Sequence, residues 1–543
     1  MTPLTSNLDS RTPEFQKNRD DMLEMLAEVD ELLGKVAEGG GEEAMERLRK
    51  RDKMPIRRRV ALALDRDTPF LEISPLAAWN SNFNVGSGFV LGIGVVSDVE
   101  CVILGHDPSV RAGAFNAFNG KKLMRGLQIA RENRLPYVQF VESAGADLRG
   151  DASDDPEAAM RRDVGHFAES GRLFYEITEL SKMRIPTLSL VFGSSTAGGA
   201  YQPGMSDYNI FIKKQSRVFL GGPPLVKMAT GEDADAESLG GAEMHTEVSG
   251  LGDYLAEDEL DGIRILREVM GHLNWRKQGP GPTMPPDEPI HDPEELLGLV
   301  ARDLKSPLDI RDVIARVVDG SRFEEFKSRY GPTLVCGWAS IHGFPIGILG
   351  NNGALMSESS EKASQFIQLC NQIDVPLLFL QNITGYIVGT DFERGGITKN
   401  GSKMINAVSN STVPHITVIV GASYGAGNYG MSGRAFGTRF NFIWPTAKIA
   451  VMGPKQMAGV MSIVGRGAAA RRGLEFDEEA DAKRAAVVEL WAEKRSLGLY
   501  ATSRVSDDAM IDPRDTRTVV GIALSACHSR AVEGAKGYGV WRM

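Results

Sequence analysis

The sequence predicts an α/β fold in which one strand–turn–helix arrangement occurs twice in tandem. Three observations carry this. Residues 185–192, a short apolar run bounded by Pro and Gly, lead into Gly193-Ser-Ser-Thr-Ala-Gly198-Gly199-Ala-Tyr201-Gln-Pro-Gly204. Residues 413–420 lead in the same way into Gly421-Ala-Ser-Tyr-Gly425-Ala426-Gly427-Asn428-Tyr429-Gly430, and the pairs Gly193/Gly421, Gly199/Gly427 and Tyr201/Tyr429 all lie 228 residues apart. Between the copies, residues 279–293 hold six prolines among Gly, Asp and Glu, the composition of a domain linker. A buried strand running into a small-residue turn and then a helix is βαβ logic, which implies a mostly parallel sheet with helices outside. Either glycine loop alone is compatible with coincidence; the common offset argues against it.

The elements follow in order. Residues 1–13 are polar and expected to fray. From Phe15 to about Val36, Met22, Leu23, Leu26, Val29, Leu32 and Leu33 recur at helical spacing. A Gly39-Gly-Gly41 break precedes a basic run over 47–59, readable as a solvated helix face or as a binding patch. Residues 88–96 and 101–105 read as hairpin strands. A helix is expected over 121–133, a strand over 136–141 ending in Ser143-Ala144-Gly145-Ala146, and a helix over 172–183. The order then restarts. Residues 319–326 echo 65–72, residues 344–349 form a strand, 362–373 a helix, and 376–380 a strand that echoes 136–140 at an offset of 240. That strand ends in Gln381-Asn-Ile-Thr384-Gly385-Tyr386. A helix near 478–497 and a last one from about Val519 close the chain. The expected division is a helical extension (1–45), a first domain (46–290) and a second (291–543).

Composition narrows the function. The chain has 543 residues, 42% hydrophobic and 24% charged, as in a soluble globular protein. Sixty-one basic against 71 acidic residues give a net charge of −10, which disfavours nucleic acid as a partner. Four scattered cysteines form no CxxC pair, and the eight histidines show no ligand spacing, so no metal is expected in this chain. With no apolar run near the ~20 residues that span a bilayer and no signal-peptide pattern at the N-terminus, a cytoplasmic, membrane-free setting is expected.

Residues 425–430 match GxGxxG after a strand, but no acidic residue occurs from Met431 to Leu474, against the requirement of a dinucleotide site. Arg434, Arg439, Lys448, Lys455, Arg466, Arg471 and Arg472 occur there instead, to face an anionic ligand or to pair with acids elsewhere. Ser195 lacks the GxSxG spacing of a nucleophile. Glu142 and Asp147 flank Ser143–Ala146, a pairing too common to carry weight. The chemistry therefore falls to backbone N–H groups at the glycine turns, which can stabilise an oxyanion.

Residues 193–205 (GSSTAGGAYQPGM), 219–232 (FLGGPPLVKMATGE), 380–389 (LQNITGYIVG), 421–430 (GASYGAGNYG), 444–453 and 511–517 (IDPRDTR) resemble the carboxyltransferase β subunits of biotin-dependent acyl-CoA carboxylases, from about residue 45 to the end. The Asn-Ile-Thr-Gly and Gly-Ala-Gly-Asn-Tyr-Gly forms are more similar to the methylcrotonyl-CoA and geranyl-CoA types than to the propionyl-CoA type. Two departures stand out: residues 165–174 are longer than expected, and Ser143-Ala-Gly-Ala replaces Ser-Gly-Gly-Ala.

The resemblance implies two tandem crotonase-like domains, the N-terminal one for acyl-CoA and the C-terminal one for carboxybiotin. It implies an active site between the N-half of one subunit and the C-half of another, and a homohexamer (a trimer of dimers) joined by a biotin carboxylase/biotin carrier α subunit. It implies catalytic amides at Gly198, Gly199, Ala426 and Gly427. Substrate contacts would come from Ser143, Ala144, Gly145, Ala146, Ala197 and Tyr429, and biotin contacts from Thr384, Gly385, Tyr386 and Asn428. Biotin would arrive on the carrier and coenzyme A as part of the substrate. The expected acyl-CoA is of the branched, unsaturated 3-methylcrotonyl kind; the rival readings are carboxylation of another acyl-CoA (geranyl, propionyl, acetyl or longer chain), a biotin-dependent decarboxylase feeding a membrane pump, a crotonase-like hydratase or isomerase needing a carboxylate pair, and a non-catalytic scaffold of a carboxylase complex.

Overall fold

The computed structural model describes residues 2–147 and 170–543. The chain divides into two compact units, one of Met1–Val29, Gln278–Thr502 and Ser506–Met543, the other of Asp30–Lys277 and Ser503–Val505.

The N-terminal unit is built on an eight-stranded sheet: β1 Leu71–Glu72, β2 Phe89–Val96, β3 Val99–His106, β4 Tyr137–Ser143, β5 Thr187–Thr196, β6 Tyr208–Ile212, β7 Arg217–Phe219 and β8 Tyr254–Ala256. Its order is β1-β2-β3-β4-β5-β6-β8, with β7 beside β5. The first two pairings are antiparallel and the rest parallel. The C-terminal unit repeats this in β9 Glu324–Phe326, β10 Leu334–Ile341, β11 Phe344–Asn351, β12 Leu377–Ile383, β13 His415–Tyr424, β14 Phe440–Ile443, β15 Lys448–Ala450 and β16 Ala509–Met510. Its order is β9-β10-β11-β12-β13-β14-β16, with β15 beside β13. The tandem α/β duplication read from the spacing is therefore a duplication of topology.

Parallel strands covered on both faces need near-continuous apolar runs, and β4, β5, β12 and β13 have them. Val138, Phe140, Leu188, Leu190 and Phe192 form one core with Ile263, Leu266 and Met270 of the helix Glu259–His272. Leu377, Phe379, Phe366, Ile367, Met404 and Val408 form the other. The helix Ala117–Asn133 starts on Asn116, whose side chain accepts the amides of Phe118 and Asn119 while Asn119 accepts that of Asn116.

The echo between residues 65–72 and 319–326 has a physical cause. Asp65 accepts the amides of Ser97 and Asp98 at the β2–β3 turn, and Asp319 those of His342 and Gly343 at the β10–β11 turn. Each is also paired with an arginine, Arg267 at 2.7 Å and Arg517 at 2.8 Å. The motif over 511–517 thus supplies a buried hairpin clamp.

Two expectations need revision. Residues 1–13 do not fray throughout: Leu4 N donates to Ser321 O (2.8 Å), Phe323 N to Thr2 O (3.3 Å) and Ser6 Oγ to Asp312 (2.6 Å). The basic run is neither one solvated face nor one patch. Arg47 and Arg49 pair with Glu43 and Glu46 in solvent, whereas Arg59 is fully buried. Its guanidinium pairs with Glu142 at 3.0 Å and Glu259 at 2.7 Å and lies over the Phe192 ring.

Candidate active site at two glycine turns

Each turn begins where a central strand leaves its sheet. β5 ends at Thr196, Ala197 takes φ +54°, and the chain enters a one-turn 3₁₀ segment, Ala197–Ala200, continued by Tyr201–Gly204. β13 ends at Tyr424, Gly425 takes φ +56°, and the short helix Ala426–Gly430 follows. First-turn amides of a helix have no intrahelical acceptor, so Gly198, Gly199, Ala426 and Gly427 carry N–H groups available to an external oxygen. Ala197, Gly198 and Ala426 are exposed, while Gly199 and Gly427 are buried.

The buried glycines are closely packed, Gly427 more tightly than Gly199. A Cβ at Gly427 would fall 2.6 Å from Ile383 Cγ1 and 3.1 Å from Gly385 Cα. One at Gly199 would fall 3.1 Å from Ser195 Oγ and 3.3 Å from Ser143 Cβ. Gly198 is different: its nearest neighbour would be Phe174 Cζ at 3.7 Å, an ordinary contact. Crowding within the chain does not explain that glycine, and its exposed backbone leaves room for a close approach.

The segment facing each turn is also built twice. In the N-terminal unit Ser143 Oγ accepts Gly145 N (3.1 Å), Gly145 stands at φ +85°, and Gly145 O accepts Phe115 N. Ala146 pairs with Phe115, and Ala144 N donates to Ala112 O. In the C-terminal unit Gly385 O accepts Leu355 N, and Tyr386 pairs with Leu355. Both register shifts match too, closing on Ser143 opposite Ser195 and Ile383 opposite Ser423. Within its own unit, each structure brings the expected residues together: 143–146 beside 197–199, and 384–386 beside 426–428.

The side chains sort differently from the sequence reading. Thr384 is exposed beside the turn. The Tyr386 ring packs into the C-terminal core with its hydroxyl 3.4 Å from Gly401 O, and burial raises its pKa. Asn428 points inward, its Nδ2 donating to Ser423 Oγ (2.8 Å). Tyr201 and Tyr429 are both exposed, each against another aromatic ring, Phe174 at 5.4 Å and Phe436 at 5.5 Å between centroids.

Among the described residues no free carboxylate pair stands here. Glu142 is held by Arg59 and Lys53, and Asp147 by Arg111 at 2.6 Å. Arg434, Lys448 and Arg466 pair with Asp508, Glu493 and Glu478, so part of the basic surplus is spent on acids elsewhere. Of the longer segment over 165–174, residues 165–169 lie outside the described residues. Among the described residues no group of His, Cys, Asp and Glu is placed to hold a metal ion, and no helix is long and apolar enough to cross a membrane.

Sequence reasoning missed the polar groups behind the turns. Gln202, one residue past Tyr201, donates to Gln139 (2.9 Å) and lies 3.4 Å from His106. Gln381 accepts from Ser423 Oγ (2.6 Å). The repeat offset could not have found them, because it sets Gln202 against Gly430, Gln139 against Phe379 and Gln381 against Val141.

Two such sheets, each opening into a glycine turn with its first amides unbonded within the turn, are the class of scaffold that comparison with known proteins identifies. The carboxyl transferase domain family matches residues 47–537, and the chain belongs to it as the carboxyltransferase (β) component of a biotin-dependent acyl-CoA carboxylase. The chain is 53% identical over 541 residues, 99% of its length and 100% of the relative's, to a protein of Mycobacterium tuberculosis (strain ATCC 25618 / H37Rv) described as a probable biotin-dependent acyl-coenzyme A carboxylase beta2 subunit. It is 43% identical to the same organism's biotin-dependent 3-methylcrotonyl-coenzyme A carboxylase beta1 subunit, covering 96% of this chain and 98% of that one. The crystal structure of the geranyl-CoA carboxylase beta subunit of P. aeruginosa superposes with a TM-score of 0.89 at 40% identity over the whole of both chains. The fold is accordingly that of tandem crotonase-like domains.

Proposed function

We propose that this chain transfers a carboxyl group from carboxybiotin, carried by a partner α subunit, to a branched unsaturated acyl-CoA of the 3-methylcrotonyl kind. The observation that carries the reading is the pair of glycine turns at one offset, each with an open first amide and a second glycine locked by packing. The tight cradles at Gly199 and Gly427 suit a thioester and a ureido group, both of which present a carbonyl oxygen to paired N–H donors.

Gly198 and Gly199 amides bind the thioester carbonyl and hold the negative charge that develops there as the substrate loses its proton. Ser143–Ala146 and Ala197 line that side, and Tyr429 shapes the space for the acyl chain. Ala426 and Gly427 amides hold the ureido oxygen, with Thr384 and Gly385 alongside and Tyr386 and Asn428 supporting from behind. Bound carboxybiotin supplies CO2 and then a ureido nitrogen basic enough to take the substrate proton, so the transfer needs no free carboxylate pair, and none stands among the described residues. Each preorganised donor contributes about 10²–10³ in rate. A homohexamer joined to biotin carboxylase/biotin carrier subunits is the assembly this function needs.

The test is the reverse reaction on the purified chain: a carboxylated acyl-CoA plus free biotin, following CO2 and the decarboxylated ester. Methylglutaconyl-CoA is run beside methylmalonyl-CoA and malonyl-CoA. Biotin-dependent release, fastest with methylglutaconyl-CoA, is expected. Release without biotin would point to a crotonase-like decarboxylase, and no release from a folded oligomer would leave a scaffold.

A further inference from the structure

The geometry points to a polar clamp, Gln381–Ser423–Asn428, that positions the amides of the C-terminal turn for the biotin side of the reaction; it rests on the carboxyltransferase reading above. Ser423 Oγ donates to Gln381 Oε1 at 2.6 Å and accepts from Asn428 Nδ2 at 2.8 Å. Gln381 Nε2 donates to Met431 O at 2.7 Å, and Asn428 O accepts Gly433 N at 2.8 Å. Ser423 precedes the turn, Asn428 lies within it, Met431 follows it, and Gln381 sits on the neighbouring strand β12. These bonds close a ring around Ala426 and Gly427. Gln381 and Ser423 are fully buried, where a satisfied hydrogen-bond network rigidifies what it joins.

The N-terminal unit supplies the control. At the offset of 228, Ser423 corresponds to Ser195 and Asn428 to Ala200; at 240, Gln381 corresponds to Val141. The serine is the same, but both partners are apolar, and Ser195 Oγ is buried with no hydrogen-bond partner. The same backbone turn therefore forms without the clamp. The clamp is not what makes the turn; it holds one of two like turns more tightly. The ligand of that turn is the one that arrives on a carrier, with little binding surface beyond its ring. Fixed donors cost such a ligand less ordering on binding. Asn428 is thus a positioning residue that acts through Ser423.

The experiment uses the full chain and free biotin in the reverse reaction, with Ser423→Ala, Asn428→Ala and, as the matched control, Ser195→Ala. Loss of one net hydrogen bond corresponds to about fivefold, so Asn428→Ala, which loses one, raises KM for biotin by about that factor, and Ser423→Ala, which loses two, raises it more. KM for the carboxylated acyl-CoA stays unchanged, and Ser195→Ala alters neither. Hydrogen exchange gives a second readout independent of turnover. Amides over 426–431 exchange faster in Ser423→Ala and Asn428→Ala, whereas those over 197–204 do not change in Ser195→Ala. Equal rises in both KM values, or unchanged exchange over 426–431 in a folded variant, would overturn the clamp. If Ser423→Ala does not fold, Asn428→Ala decides alone. A wild-type chain with no biotin-dependent turnover would sink the carboxyltransferase reading and leave the exchange experiment to judge the clamp.

Discussion

Placing a methyl group at Gly427 tests the site most directly. The added carbon would lie 2.6 Å from Ile383 Cγ1, 3.1 Å from Gly385 Cα and 3.4 Å from Gly385 N. The isoleucine can shift, but the Gly385 backbone is held by its bond to Leu355. The turn must therefore move. Overpacking of this kind costs about 1–3 kcal/mol of stability, and misplacing one oxyanion donor costs about 10²–10³ in kcat. Gly427→Ala is expected to lower kcat of the reverse reaction about 100-fold, with a detectable fall in Tm. Gly199→Ala meets Ser195 Oγ at 3.1 Å and Ser143 Cβ at 3.3 Å, contacts that give by a few tenths of an ångström, and loses less. Gly198→Ala meets only Phe174 at 3.7 Å and keeps the wild-type Tm; any loss of turnover there reports the ligand itself. Gly199→Val and Gly427→Val abolish transfer while size-exclusion chromatography still finds the wild-type oligomer. Wild-type turnover in Gly427→Ala would refute the placing of the reaction at these turns.

Changing exposed Tyr429 to Ala or Phe is expected to reorder kcat/KM across the three carboxylated CoA esters; an unchanged ranking would remove it from the acyl pocket. Arg59→Met leaves Glu142 and Glu259 without their shared buried guanidinium, and breaking such a buried pair costs about 3–5 kcal/mol, read as a lower urea midpoint. Burial lowers His106 from 6.5 to about 4, so the unfolded chain takes up the proton first. Its contribution to stability is complete above about pH 6.5 and is lost as pH falls toward 4. Between pH 7 and pH 5 this amounts to about 2 kcal/mol. Urea unfolding of His106→Gln should have a correspondingly shallower pH dependence; equal slopes in the two proteins would exclude the effect.

The duplication, the two turns and the family were legible without coordinates because they rest on local chemistry. Apolar runs that end in paired glycines specify a strand entering a tight turn wherever they occur. An offset repeated across Gly, Gly and Tyr is independent of how the chain folds. The aspartates at 65 and 319 were visible as an echo, yet their work in capping β-hairpin turns was not, since it needs amides about two dozen residues or more downstream. Only the tertiary structure decided what lies behind the turns. The bond from Ser423 to Gln381 spans 42 residues and that from Arg59 to Glu259 spans 200, and no local pattern marks either pairing. Two serines at matching positions read alike in sequence. One is bonded to Gln381 and Asn428, and the other has no hydrogen-bond partner among the described residues, where the positions that correspond to Gln381 and Asn428 are the apolar Val141 and Ala200.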